Sequence, residues 1–80
     1  MKAIVTVTLK RGVLDPQGKA VAHGLGALGF SSVEDVRIGK HVEIELGSAS
    51  EDEARAQVDD MCKKLLANPV IEDYSVELVG

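Results

Sequence analysis

Eighty residues with one cysteine and two histidines make a single domain and exclude a disulfide framework. A net charge of −4, one Phe, one Tyr and no Trp exclude the basic, ring-bearing surface that nucleic-acid binding requires. No apolar run approaches a signal h-region or a membrane span, and a lone thiol suits the reducing cytoplasm, the expected location.

The first element is a strand. From Lys2 to Lys10, Ala3, Val5, Val7 and Leu9 alternate with Lys2, Thr6, Thr8 and Lys10, a period of two in β-branched residues. Asp15-Pro16 then marks a helix start. The carboxylate accepts from an orphan N–H, and proline at the first helical position lacks the donor that would go unused there. Ala20, Val21, Gly24, Leu25 and Leu28 trace one face of this helix, and Gly29 with Phe30 suits a left-handed C-terminal cap. Close packing on a sheet would account for Gly24.

Val33 to Ile38 and Val42 to Leu46 are predicted as two strands of a hairpin. Val42, Ile44 and Leu46 point inward, and a three-residue Gly39-Lys40-His41 loop would bring Val36 and Ile38 to the same face. Ser50-Glu51-Asp52-Glu53 is a capping box opening a second helix, whose Ala54, Val58, Met61, Cys62, Leu65 and Leu66 recur at helical spacing. Acidic residues crowd its first turn, Lys63 and Lys64 lie near its end, and Asn68-Pro69 stops it. A last strand carries Tyr74, Val76 and Leu78 on one face. The expected fold is α+β: a βαββαβ two-layer sandwich with two helices on one face of an antiparallel sheet, in a single domain spanning 1–80. The other face, with Ile4, Thr6, Thr8, Val33 and Val79, is expected to meet another protomer. A chain this short buries only about 60% of its unfolded surface. Without disulfide or metal, association is the support left to it.

No chemistry of its own emerges. Cys62 sits on an apolar stripe with no base fixed nearby and reads as an inert buried thiol. His23 and His41 lack ligand spacing, and Asp35, Glu43 and Glu45 read as a solvated face. The G-x-x-x-x-G-K-[ST] phosphate loop is absent, and no nucleophile, base and orienter can be assembled. No catalytic, cofactor-binding or metal-ligating residue is assigned. Two stretches exceed their structural role. Lys10-Arg11-Gly12-Val13-Leu14-Asp15-Pro16-Gln17-Gly18 sets two cations before a helix N-terminus, suited to an anion or a partner's carboxylate. Asn68-Pro69-Val70-Ile71-Glu72-Asp73-Tyr74 places two apolar side chains in a connecting loop. From these, Lys10, Arg11, Asp15, Gln17, Asn68, Val70, Ile71 and Tyr74 are the candidate partner-interface residues.

The same stretches carry a family resemblance. Leu9-Lys10 with Gly12-Val13-Leu14-Asp15-Pro16-Gln17-Gly18, then Leu28-Gly29-Phe30, Val36-Arg37 and Gly39-Lys40, then Cys62 through Tyr74, resemble the PurS family along essentially the whole chain. These are small subunits of phosphoribosylformylglycinamidine (FGAM) synthase in bacteria and archaea. The resemblance implies a non-catalytic subunit of purine biosynthesis. The complex converts formylglycinamide ribonucleotide, glutamine and ATP to formylglycinamidine ribonucleotide. It further implies a homo-oligomer, dimer or tetramer, that bridges a PurQ-type glutaminase and a PurL-type synthetase and assists ammonia transfer. ATP and magnesium would belong to the large subunit, with no cofactor in this chain. Two other functions suit the same element order. An ACT-like sensing module would bind an amino acid. An acylphosphatase-type enzyme would need an arginine-bearing phosphate loop, which Asp15-Pro16-Gln17-Gly18 lacks.

Overall fold

A computed structural model describes residues 1–47 and 50–80. Strand β1 (Lys2–Leu9) is followed by helix α1 (Pro16–Ala27), strand β2 (Gly39–Glu45), helix α2 (Glu51–Met61) and strand β3 (Glu72–Val79). A wider π-type turn, Cys62–Leu66, prolongs α2 and closes with the Ala67 N–H donating to the Cys62 carbonyl at 2.9 Å. Asn68-Pro69 ends it, as the proline requires.

The sheet has three antiparallel strands in the order β2-β1-β3. Register places Val5 between Val42 and Val76, and Ala3 between Ile44 and Leu78. Because side chains alternate, Ala3, Val5 and Val7 share one face, and all three are buried. Ala54, Val58 and Cys62, spaced four apart on α2 and its π turn, are fully buried there too. Val42, Ile44, Leu46, Leu66, Tyr74, Val76 and Leu78 pack around this core. Ser50 accepts from the Glu53 N–H at 3.1 Å, forming its half of the capping box.

The α+β class, the antiparallel sheet and the inward face of β2 agree with expectation. Three finer expectations do not hold. Val33–Ile38 is not a strand, so no hairpin turns around Gly39; Gly39, Lys40 and His41 belong to β2 and oppose Thr8, Val7 and Thr6. The segment's backbone bonds go elsewhere: the Ile38 N–H donates to Asp15 Oδ2 at 2.7 Å. The two helices also do not lie together on one face. Only α2 covers the sheet, whereas α1 has little packing with any strand and buries only Gly18. Gly24 accordingly has open space about its α-carbon, so helix–sheet packing does not explain it. Finally, the uncovered sheet face does not consist of Ile4, Thr6, Thr8, Val33 and Val79 alone. It carries Lys2 bonded to Glu43 at 2.7 Å and His41 at 3.4 Å from Glu43, and Val33 lies off the sheet altogether.

The termini of α1 are nonetheless well formed. Asp15 is the N-cap, Pro16 opens the helix, and Gly29 takes a φ of +100° beyond its end. There the Phe30 N–H donates to the Leu25 carbonyl at 3.0 Å and the Gly29 N–H to Gly26 at 3.1 Å, a Schellman arrangement that only glycine enters without strain.

The outcome is a long, flat molecule. It measures 49 × 26 × 14 Å with a radius of gyration of 15.9 Å, where a compact domain of this length has about 12 Å. Its accessible surface of 5694 Å² exceeds by about 1,000 Å² what a compact monomer of this mass exposes.

Candidate partner interface

The two segments singled out in the sequence meet at one end of the sheet. The Lys10 N–H donates to the Ile71 carbonyl at 2.9 Å, and the Lys10 ammonium lies 3.3 Å from Asp73. The β1–α1 loop and the α2–β3 loop therefore form one continuous surface.

Within the first loop, Asp15 is only 3% exposed. Its Oδ1 accepts from the Gly18 N–H at 2.9 Å, and its Oδ2 from the Ile38 N–H at 2.7 Å. Those two backbone donors, aided by the charge of Arg37, hold its carboxyl below the usual carboxylate range. Asp15 thus ties the start of α1 to the segment before β2 and is engaged within its own chain. Arg37 completes the tie. One guanidinium nitrogen, Nη2, donates to the carbonyls of Lys10 at 2.7 Å, Val13 at 3.0 Å and Leu9 at 3.3 Å. Arg11 on the same loop and Gln17 in the first turn of α1 remain exposed.

The second loop is shaped by Asn68. Its Oδ1 accepts from the Val70 N–H at 3.1 Å, its carbonyl from the Ile71 and Glu72 N–H groups, and its own N–H donates to Glu72 Oε1 at 2.7 Å. This Asx turn displays Val70, 81% exposed, and Ile71, 39% exposed. Tyr74 is half-buried and faces α2, where its hydroxyl donates to Asp59 Oδ1 at 2.5 Å; this bond pushes the phenol up to about 12. Asp59, also held by Lys63 at 3.0 Å, is correspondingly lowered.

Sequence reasoning missed two contributors. Arg37, flanked by Val36 and Ile38, resembles the outward residue of a strand, and nothing local marks it as the clamp of a loop 24 to 28 residues away. The second is α1 itself, which displays Val21, Leu28 (75% exposed) and, past its end, Phe30 (56% exposed), with Leu14 before it. An apolar helix face was legible; its lack of a cover was not.

A cleft of about 300 Å³ lies at the foot of α1, between Leu9, Ile38, Pro16, Lys40 and Glu72. A second, of about 510 Å³, runs between α2 and β3 beside Arg55, Asp59, Tyr74 and Val76. Neither gathers a nucleophile with a base. The thiol of Cys62 is fully buried, and desolvation raises its pKa. Among the described residues, no group of three or more His, Cys, Asp or Glu side chains is placed to hold a metal ion. No helix in that set is long and apolar enough to cross a membrane. This end of the molecule leaves Arg11, Gln17, Val70 and Ile71 exposed.

Comparison with known proteins gives the family. Residues 2–80 match the family described as PurS, phosphoribosylformylglycinamidine (FGAM) synthase. The chain belongs to the PurS family. The Bacillus subtilis FGAM synthase subunit PurS is 49% identical over 77 residues, 96% of this chain and 90% of that one. A crystal form of B. subtilis PurS superposes with a TM-score of 0.87 at 48% identity, covering 99% of this chain and 98% of that chain. A PurS-like chain in the structure of PurLQS from Thermotoga maritima gives 0.88 at 29% identity, covering 98% and 95%. The PurS match includes both loops and α1, so the elements that protrude here lie within the family's common fold.

Proposed function

We propose that this PurS-family chain is a non-catalytic scaffold of FGAM synthase, a homo-oligomer that bridges the glutaminase and synthetase subunits and assists ammonia transfer between them. The observation that carries this is the surplus of exposed surface in a chain of that family, with no nucleophile and base brought together among the described residues. About 1,000 Å² beyond a compact monomer is comparable to the roughly 800 Å² that each partner of a standard interface contributes. Exposed apolar side chains on α1, at Phe30 and on the Val70 loop contribute to it.

The physical need is plain. Ammonia released by a glutaminase is lost to solvent or protonated near neutral pH unless its route is closed to water. A bridging subunit serves this with shape and surfaces alone. α1 and the two joined loops are the docking elements, ATP and magnesium belong to the large subunit, and the assembly works in the cytoplasm.

The test is reconstitution of the PurQ-type and PurL-type partners with and without this chain. Glutamine-dependent formation of formylglycinamidine ribonucleotide is expected to collapse without it, while ammonia-dependent formation persists. Equal glutamine-dependent rates in both mixtures refute the scaffold role.

A further inference from the structure

A third cleft, of about 380 Å³, is lined by Arg11, Asp35 and Arg37. Two of the chain's three arginines thus share one recess, and neither lies within 4.0 Å of a carboxylate among the described residues, in contrast to Lys2, Lys10, Lys63 and Lys64. Arg37 is immobilised, because its Nη2 is held by three backbone carbonyls. Carbonyls fix the guanidinium without neutralising it. Its Nε and Nη1 donors have no acceptor among the described hydrogen bonds, although a guanidinium presents five N–H groups in a rigid fork. Asp35, the one acid in the recess, has Oδ1 occupied by the Val36 N–H at 3.0 Å.

We propose that Arg37 and Arg11 form a notch that receives a carboxylate from an acidic side chain of a partner subunit. The proposal rests on the scaffold reading and names the chemistry of one of its contacts. Two cations against one anion leave a single positive charge, which a monoanion matches. A planar carboxylate fits the free edge of a guanidinium with two parallel bonds. Three charged residues, Arg11, Asp35 and Arg37, line the notch and no apolar residue does, so the anion arrives on a polypeptide that makes its other contacts with the surrounding loop. Because the chain is acidic as a whole, at −4, the notch also sets the register in which an acidic partner surface can approach.

The test has two arms. In the first, the isolated protein is titrated with sodium acetate, followed by the side-chain Nε–H resonances of Arg11 and Arg37, with sodium chloride at equal ionic strength and inorganic phosphate alongside. Saturable shifts with acetate are expected, about tenfold weaker in Arg11→Gln, which loses a charge-assisted bond, and tighter in Asp35→Asn. Acetate shifts that match those of chloride, or whose affinity is unchanged in Arg11→Gln, overturn the notch. In the second arm, affinity for the partner subunits is measured for folded Arg11→Gln and Asp35→Asn. About a tenfold loss in the former and no loss in the latter support the proposal. Unchanged affinity in Arg11→Gln overturns the partner carboxylate as occupant. Failure of the unaltered chain to assemble at all, with acetate binding intact, overturns the scaffold reading together with that occupant.

Discussion

Gly18→Ala separates local propensity from tertiary constraint, because the two predict opposite signs. Gly18 lies in the first turn of α1, and alanine in a helix is favoured over glycine by up to about 1 kcal/mol. Propensity alone therefore predicts a more stable protein. In the folded chain, however, a β-carbon at this position would overlap the Val36 carbonyl oxygen and stand 2.9 Å from Asp15 Oδ2. Neither neighbour yields freely: the carbonyl is backbone, and the carboxylate is fixed by the Gly18 and Ile38 N–H groups. Overpacking of this kind costs about 1–3 kcal/mol, before any loss of those two bonds. For a domain of this length each kcal/mol lowers Tm by roughly 4–8 °C. Gly24→Ala, with open space around it, retains the helical gain. Urea and thermal unfolding followed by circular dichroism are expected to move the two variants in opposite directions from the parent. A Tm for Gly18→Ala at or above the parent would mean that the tie between α1 and Val36–Ile38 does not hold, and the placement of α1 argued above would fall with it.

The sole tyrosine, in a chain without tryptophan, reports on α2–β3 packing. The Tyr74 phenol should titrate near about 12 by phenolate absorbance, and Asp59→Asn should return it toward 10.0, where its stabilising contribution begins to be lost as pH rises; a parent midpoint near 10 refutes the Asp59 bond. Asp15 acts at the opposite extreme. Its folded pKa is lowered, so its contribution is complete above the unfolded value of 3.8 and is lost as pH falls through the lower folded value. Exchange protection of the Ile38 amide should fall in that acid range in the parent but show no such step in Asp15→Asn, and identical pH profiles would contradict the tie.

Much of the chain was legible because its signals are local. The alternation of Ala3, Val5 and Val7 gave β1 and its buried face, Asp15-Pro16 and Gly29 bounded α1, and Ser50 with Glu53 opened α2. Val33–Ile38 was misread because β-branched residues express a preference for extended backbone and not the presence of a neighbour; here Asp15 takes the Ile38 amide. In the candidate interface, the two loops were recognisable as apolar or cationic excess, whereas Asp15, chosen with them, is consumed by capping and tying. Arg37 could not be ranked above other arginines, since its acceptors lie 24 to 28 residues away.

The amino-acid sequence alone determined β1, α1, α2 and β3 with the helix caps, the apolar faces and the family likeness. Each of these depends on residues within one turn or one pleat of each other, or on motifs read in order. Tertiary structure decided that α1 stands away from the sheet, that the two loops join through Lys10, Ile71 and Asp73, and that Arg37 is clamped beside Arg11. Those outcomes depend on which distant backbone groups claim each donor and acceptor, a competition settled only when the whole chain has folded.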